Sequence, residues 1–125
     1  MTDYPSLHLL IGGEKITEGS RITEDVLNPA TGDTLGTLTH ATADDLDAAL
    51  DNAAKGFAIW RSTPPEQRAA VLTKAAALLR ERVGVIAEAL SMEQGKTLAE
   101  AKGETIYGAM LFEFYAGECK RIYGR

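Results

Sequence analysis

Between Glu93 and Glu104 the chain closes one apolar helical run and opens another, and this junction constrains the fold more than any other stretch. Gly95 follows a periodic apolar segment, where a glycine can take the left-handed conformation that ends a helix. Lys96 adds a cation beside the carbonyl end of that helix. Thr97 then begins the next helix, its hydroxyl set to accept the Glu100 amide while the Glu100 carboxylate reaches back, a T-x-x-E capping box.

Upstream, Met1 to Ser6 is a polar lead, and Leu7 to Ile11 is a short apolar run ending at Gly12-Gly13. With Glu14-Lys15-Ile16 returning, this predicts a β-hairpin. A second extended pair runs from Ile22 to Leu27 and from Leu35 to Thr39 around Asn28-Pro29-Ala30-Thr31-Gly32, whose residue types suit a turn. From Thr42 the period changes from two to 3.6, with Leu46, Ala49, Leu50, Ala53, Phe57 and Trp60 on one stripe behind a Thr42/Asp45 capping box. Thr63-Pro64-Pro65-Glu66 starts another helix, whose apolar stripe continues past Arg82. Gly84 is expected to break it into a first helix to about Arg82 and a shorter one into Met92. The last helix carries Thr105, Ala109, Phe112, Ala116, Cys119 and Tyr123 on one face with Ile106, Met110 and Phe114 beside it. A sector that wide predicts burial, and Gly103, Gly108 and Gly117 predict a partner close to the backbone. The fold class expected is α/β, with β-hairpins followed by about four helices.

Composition bounds function. With 125 residues, 45% hydrophobic and 25% charged, the chain has the make-up of one globular unit. A net charge of −5 and a pI near 5.0 argue against nucleic acid or anionic membrane as partners. The single cysteine, Cys119, cannot form an internal disulfide, no apolar run approaches ~18 residues, and no secretory signal pattern opens the chain. A cytoplasmic location is the expectation.

Motifs that carry chemistry are sparse. Gly95-Lys96-Thr97 matches the tail of a phosphate-binding loop, but the spacing puts Leu90 where the first glycine must stand, and no strand is expected before it. Cys119 with His8 or His40 would be a thiol and a base, yet a cysteine on an apolar helix face reads first as a core residue. Neither histidine has the ligand spacing of a zinc site. Trp60, Phe112, Phe114 and Tyr115 are explained as core by their spacing, and Arg80-Glu81-Arg82 as a solvated helix face.

The ordered pieces Val26-Leu27-Asn28-Pro29-Ala30-Thr31-Gly32, Trp60-Arg61, Pro65-Glu66-Gln67-Arg68, Glu93-Gln94-Gly95-Lys96, Ala99-Glu100-Ala101-Lys102-Gly103-Glu104 and Phe114-Tyr115-Ala116-Gly117 resemble the N-terminal segment of the NAD(P)-dependent aldehyde dehydrogenase superfamily. Each piece is weak alone; their order and spacing together are specific, and they cover the chain from about residue 8. The wording from Gly95 to Ala101, and Lys120-Arg121-Ile122-Tyr123-Gly124, look most like the succinate-semialdehyde dehydrogenase branch.

The resemblance implies an incomplete aldehyde-dehydrogenase-like domain over residues 1–125. The family's thiol, glutamate base, oxyanion-hole asparagine and cofactor-gripping residues fall outside it, and Cys119 matches none of them. The full-length parent would oxidise a small aldehyde with NAD or NADP, through a thiohemiacetal, hydride transfer and thioester hydrolysis, as a homo-oligomer. The segment alone would be inactive scaffold, prone to associate. Gly103, Glu104 and Tyr107 match positions bordering the aldehyde's entrance. Glu93 matches a carboxylate that in some members binds a structural monovalent cation, with the carbonyls of Val26 and Leu27 completing the site. From another class, the alternative is a free-standing, non-catalytic helical interaction module.

Overall fold

Local signals set most of the element boundaries. The computed structural model describes residues 4–17 and 19–124, which divide into two compact units, Met1–Arg61 with Met92–Gly95, and Ser62–Ser91 with Lys96–Arg125. In the first, β1 (Leu9–Ile11) and β2 (Glu14–Ile16) pair antiparallel with Leu9 opposite Ile16, across a Gly12-Gly13 turn in which both φ are positive. Strands β3 (Thr23–Leu27) and β4 (Thr34–Thr39) pair antiparallel with Val26 opposite Gly36, and the register slips between Val26 and Leu27. The connecting turn is closed by Asn28, whose amide donates to Asp33 O at 2.8 Å and whose side-chain Oδ1 accepts from the Ala30 amide at 2.9 Å.

Helix α1 (Ala43–Ser62) opens on the expected box. The Asp45 amide donates to Thr42 Oγ1 at 3.2 Å, and the Thr42 amide and hydroxyl both donate to Asp45 Oδ2, at 2.8 and 2.9 Å. Arg21 then adds a fork that the sequence did not announce, with Nε on Oδ2 at 3.1 Å and Nη2 on Oδ1 at 2.8 Å. Asp45 is buried, and the Arg21 guanidinium, followed by the Thr42 amide and hydroxyl, holds its carboxyl far below the usual carboxylate range.

The second unit is helical. α2 (Pro65–Glu81) starts with proline at its first position, no side-chain hydrogen bond capping it. The helix jogs at Arg82, with φ −99° and ψ 12°, and resumes as α3 (Val83–Gln94), so the break falls two residues before Gly84. Backbone bonds continue across the jog, from the Arg82 amide to Leu78 O and from the Ile86 amide to Arg82 O. α4 (Leu98–Glu118) packs against α2. The buried positions of these three helices are Ala69, Ala76, Ala87, Ala101, Thr105, Ala109 and Ala116, a seam of methyl groups at which the α2 and α4 backbones can come close. Thr105 satisfies its hydroxyl on Ala101 O at 2.9 Å.

Several expectations of burial are corrected. Along α1, Leu46, Leu50, Phe57 and Trp60 are exposed, Leu50 by 69%, with the Arg61 guanidinium over the Phe57 ring at 5.8 Å. On α4, Phe112, Phe114 and Tyr115 are exposed rather than core, Phe114 and Tyr115 meeting edge to face with centroids 5.3 Å apart. A Cβ placed at Gly103, Gly108 or Gly117 would find no neighbour within 4 Å among the described residues, so the close partner expected there is not among them. Tyr123 lies beyond the helix end and is exposed. Nor is Arg80 simply solvated: it forks onto Glu113 at 2.9 Å through both Nε and Nη2. Among the described residues no helix is long and apolar enough to cross a membrane.

Candidate functional site

The polar groups converge at two places, one in each unit. In the first, Gly95 has φ +70°, so the chain leaves α3 through the left-handed conformation its residue type allows. A Cβ there would lie 3.1 Å from Pro29 Cγ, which sets the end of α3 against the turn that follows Val26 and Leu27. Glu93, in the last turn of α3, is exposed, and its Oε1 accepts the Tyr4 hydroxyl at 2.6 Å. Tyr4 falls in the segment expected to be only a polar lead, and is instead half-buried with its ring against Gly36. Burial first, then the hydrogen bond and charge of Glu93, push the Tyr4 hydroxyl up to about 12. The lone clue in the sequence was an aromatic before a proline, since Pro5 biases Tyr4 toward extended backbone.

In the second unit, the Thr97/Glu100 box is complete. Thr97 Oγ1 accepts the Glu100 amide at 3.3 Å, and the Thr97 amide donates to Glu100 Oε2 at 3.1 Å. Lys96 pairs with Glu104 at 2.6 Å, not with Glu93, and Ser91 Oγ donates to Lys96 O at 2.7 Å. Gly103, Glu104 and Tyr107 are all exposed within the first turns of α4, Tyr107 by 61%. Gly103 and Tyr107 stand one turn apart on the same face, and Glu104 is neutralised locally by Lys96.

Residues 16–125 match the profile of the Aldehyde dehydrogenase family. The chain belongs to the aldehyde dehydrogenase family. It is 45% identical over 98% of its length to 4-(hydroxymethyl)benzenesulfonate dehydrogenase TsaD1 of Comamonas testosteroni, covering 26% of that protein. It is 42% identical over 92% of its length to succinate-semialdehyde dehydrogenase [NADP(+)] GabD of Escherichia coli, covering 24% of it. The crystal structure of succinate-semialdehyde dehydrogenase from Burkholderia pseudomallei superposes with a TM-score of 0.89 at 39% identity, over 94% of this chain and 24% of that one. The chain thus spans about a quarter of the length of these relatives, and the α/β arrangement of two strand pairs and four helices is that of their N-terminal parts.

Within this aldehyde dehydrogenase segment, the remaining chemistry-bearing residues are accounted for. Cys119 is the half-buried C-cap of α4, its amide donating to Tyr115 O at 3.0 Å. His40 Nε2 lies 3.0 Å from Glu24 Oε2, and His8 Nδ1 lies 3.3 Å from Ser6 O. Among the described residues no three His, Cys, Asp or Glu side chains cluster as a metal site would require. Gly95-Lys96-Thr97 follows a helix rather than a strand and its lysine is engaged with Glu104, so these residues do not fit the phosphates of a dinucleotide. An open groove of about 260 Å³ is lined by Ala75, Leu78, Leu79, Arg82, Ile86 and Phe112.

Proposed function

We propose that residues 1–125 are the N-terminal portion of an NAD(P)-dependent aldehyde dehydrogenase that oxidises a short semialdehyde, succinate semialdehyde among them, to the carboxylic acid. The observation that carries this is a family match running almost end to end while spanning only a quarter of each relative. In this reading the segment is scaffold, inactive alone. The catalytic thiol, its base and the cofactor-binding residues belong to the rest of the polypeptide, where bound nicotinamide accepts the hydride. The whole enzyme is read as a cytoplasmic homo-oligomer with a small aldehyde as its partner and neither nucleic acid nor membrane among its ligands. The segment purified alone should give no aldehyde-dependent NAD(P) reduction and should self-associate through the exposed faces of α1 and α4. Fused in frame to the remaining coding sequence, it should turn over short semialdehydes. Turnover by the segment alone would overturn the proposal.

Two sites go with this reading. Gly103, Glu104 and Tyr107 border the aldehyde's entrance, where Tyr107 offers an apolar body with a polar tip. Tyr107→Ala should change the ranking of short against long aldehydes by kcat/KM, and an unchanged ranking removes it from the entrance. Glu93, with the carbonyls of Val26 and Leu27, holds a structural monovalent cation. What supports such an ion is an exposed carboxylate in the last turn of α3, whose carbonyl end carries negative potential, and a register slip between Val26 and Leu27. Melting of the whole enzyme in sodium, potassium and tetramethylammonium at matched ionic strength checks it, with Glu93→Gln as control. Equal melting in all three removes the ion.

A further inference from the structure

We infer that Tyr4 is a positioning residue for the Glu93 carboxylate, fixing it from a ring seated on β4; the assignment rests on the proposed monovalent-cation site. A glutamate side chain on an exposed helix end samples many rotamers, and fixing one of them is part of the cost of binding an ion. Here the Tyr4 hydroxyl takes one oxygen, Oε1, at 2.6 Å, and the other carboxylate oxygen remains for a hard cation. A donor on one ligand atom that orients the other is the usual outer arrangement of metal-binding side chains.

The tyrosine ring makes this hydrogen bond specific in direction. It lies on β4 at Gly36, where a Cβ would come within 3.0 Å of Tyr4 Cε1 and 3.1 Å of Cδ1. Gly36 is the ladder partner of Val26. One side chain therefore touches the strand opposite a proposed carbonyl ligand and holds the proposed carboxylate ligand. The contact of Gly95 with Pro29 ties the same helix end to the turn just after Leu27. Glycine at 36 leaves the space the ring occupies, since a Cβ there would press on the ring whose hydroxyl reaches Glu93.

The test uses the whole dehydrogenase and titrates sodium or potassium chloride against tetramethylammonium chloride at constant ionic strength, following the melting temperature. Four proteins are compared: native, Glu93→Gln, Tyr4→Phe and Gly36→Ala. Glu93→Gln should abolish the cation-specific rise. Tyr4→Phe should raise the cation concentration giving half the rise about tenfold, and Gly36→Ala, which displaces the ring while keeping the hydroxyl, should move it in the same direction. Loss of the rise in Glu93→Gln with a native midpoint in Tyr4→Phe overturns the role of Tyr4 alone. A fall in Tyr4→Phe that is equal in all three salts is a purely structural effect and overturns it as well. If Glu93→Gln and the native enzyme melt alike in every salt, the cation site falls, and the role of Tyr4 falls with it.

Discussion

The boxes at Thr42/Asp45 and Thr97/Glu100 share one spacing and one set of hydrogen bonds, yet Asp45 is buried and Glu100 is exposed. At α4 the acid only completes a helix end: the Thr97 hydroxyl first, then its amide, lower the pKa of the Glu100 carboxyl, and the bonds stay within one turn. At α1 the same carboxylate has been taken up by Arg21, 24 residues upstream, and the cap has become a tertiary tie. A local motif therefore fixes where a helix starts, whereas the second partner of its acid decides how much of the fold depends on it.

Removing that second partner should have the largest effect. Arg21→Met leaves a buried carboxylate without its cation and should lower the melting temperature more than any change at Thr97. Adding Asp45→Asn should restore part of the loss, a coupling that a double-mutant cycle reads directly. Acid should reveal the same tie. Because the folded pKa of Asp45 is depressed, its contribution is full above the unfolded value of 3.8 and is lost as the pH falls below it, so native and Asp45→Asn stabilities should converge on acidification. The opposite sign holds for Tyr4, whose raised pKa makes its contribution full below 10.0 and lost as the pH rises toward about 12.

A smaller effect is expected at the exposed box. Thr97→Ala should cost about 1 kcal/mol and speed hydrogen exchange in the first turn of α4, leaving the amides of α1 unchanged. If α1 responds as well, the contrast between a local and a tertiary cap fails. The smallest belongs to Arg80 and Glu113, both nearly half exposed, whose carboxylate and guanidinium shift each other's pKa through their mutual hydrogen bonds. Arg80→Ala should change melting slightly at low salt and not measurably at high salt.

The same contrast separates what was legible in the sequence from what was not. The Gly95 helix end, the Gly12-Gly13 and Asn28 turns, both boxes and the jog near Gly84 are written in residues within a few positions of one another, where sterics and short-range hydrogen bonds decide the conformation. The ties Arg21 to Asp45, Arg80 to Glu113 and Tyr4 to Glu93 join residues 24, 33 and 89 positions apart, and no local pattern encodes them. The stripes on α1 and α4 correctly announced apolar faces. They did not announce that Leu50, Phe57 and Phe114 would stay mostly exposed, because periodicity specifies a face and says nothing of its occupant. The proposed roles of Glu93 and Tyr107 come from family resemblance, whereas the hydrogen bond from Tyr4 to Glu93 needed the fold.

The alanine seam of α2 and α4 has a thermal consequence. Heat capacity on unfolding follows the apolar area newly wetted, and a methyl group hides little of it. Ala69, Ala76, Ala101, Ala109 and Ala116, its fully buried apolar members, expose little such area when the contact opens. The contribution of these alanines to ΔCp is correspondingly small, so the temperature dependence of this helix pair's strength is carried by its half-buried larger members such as Leu72.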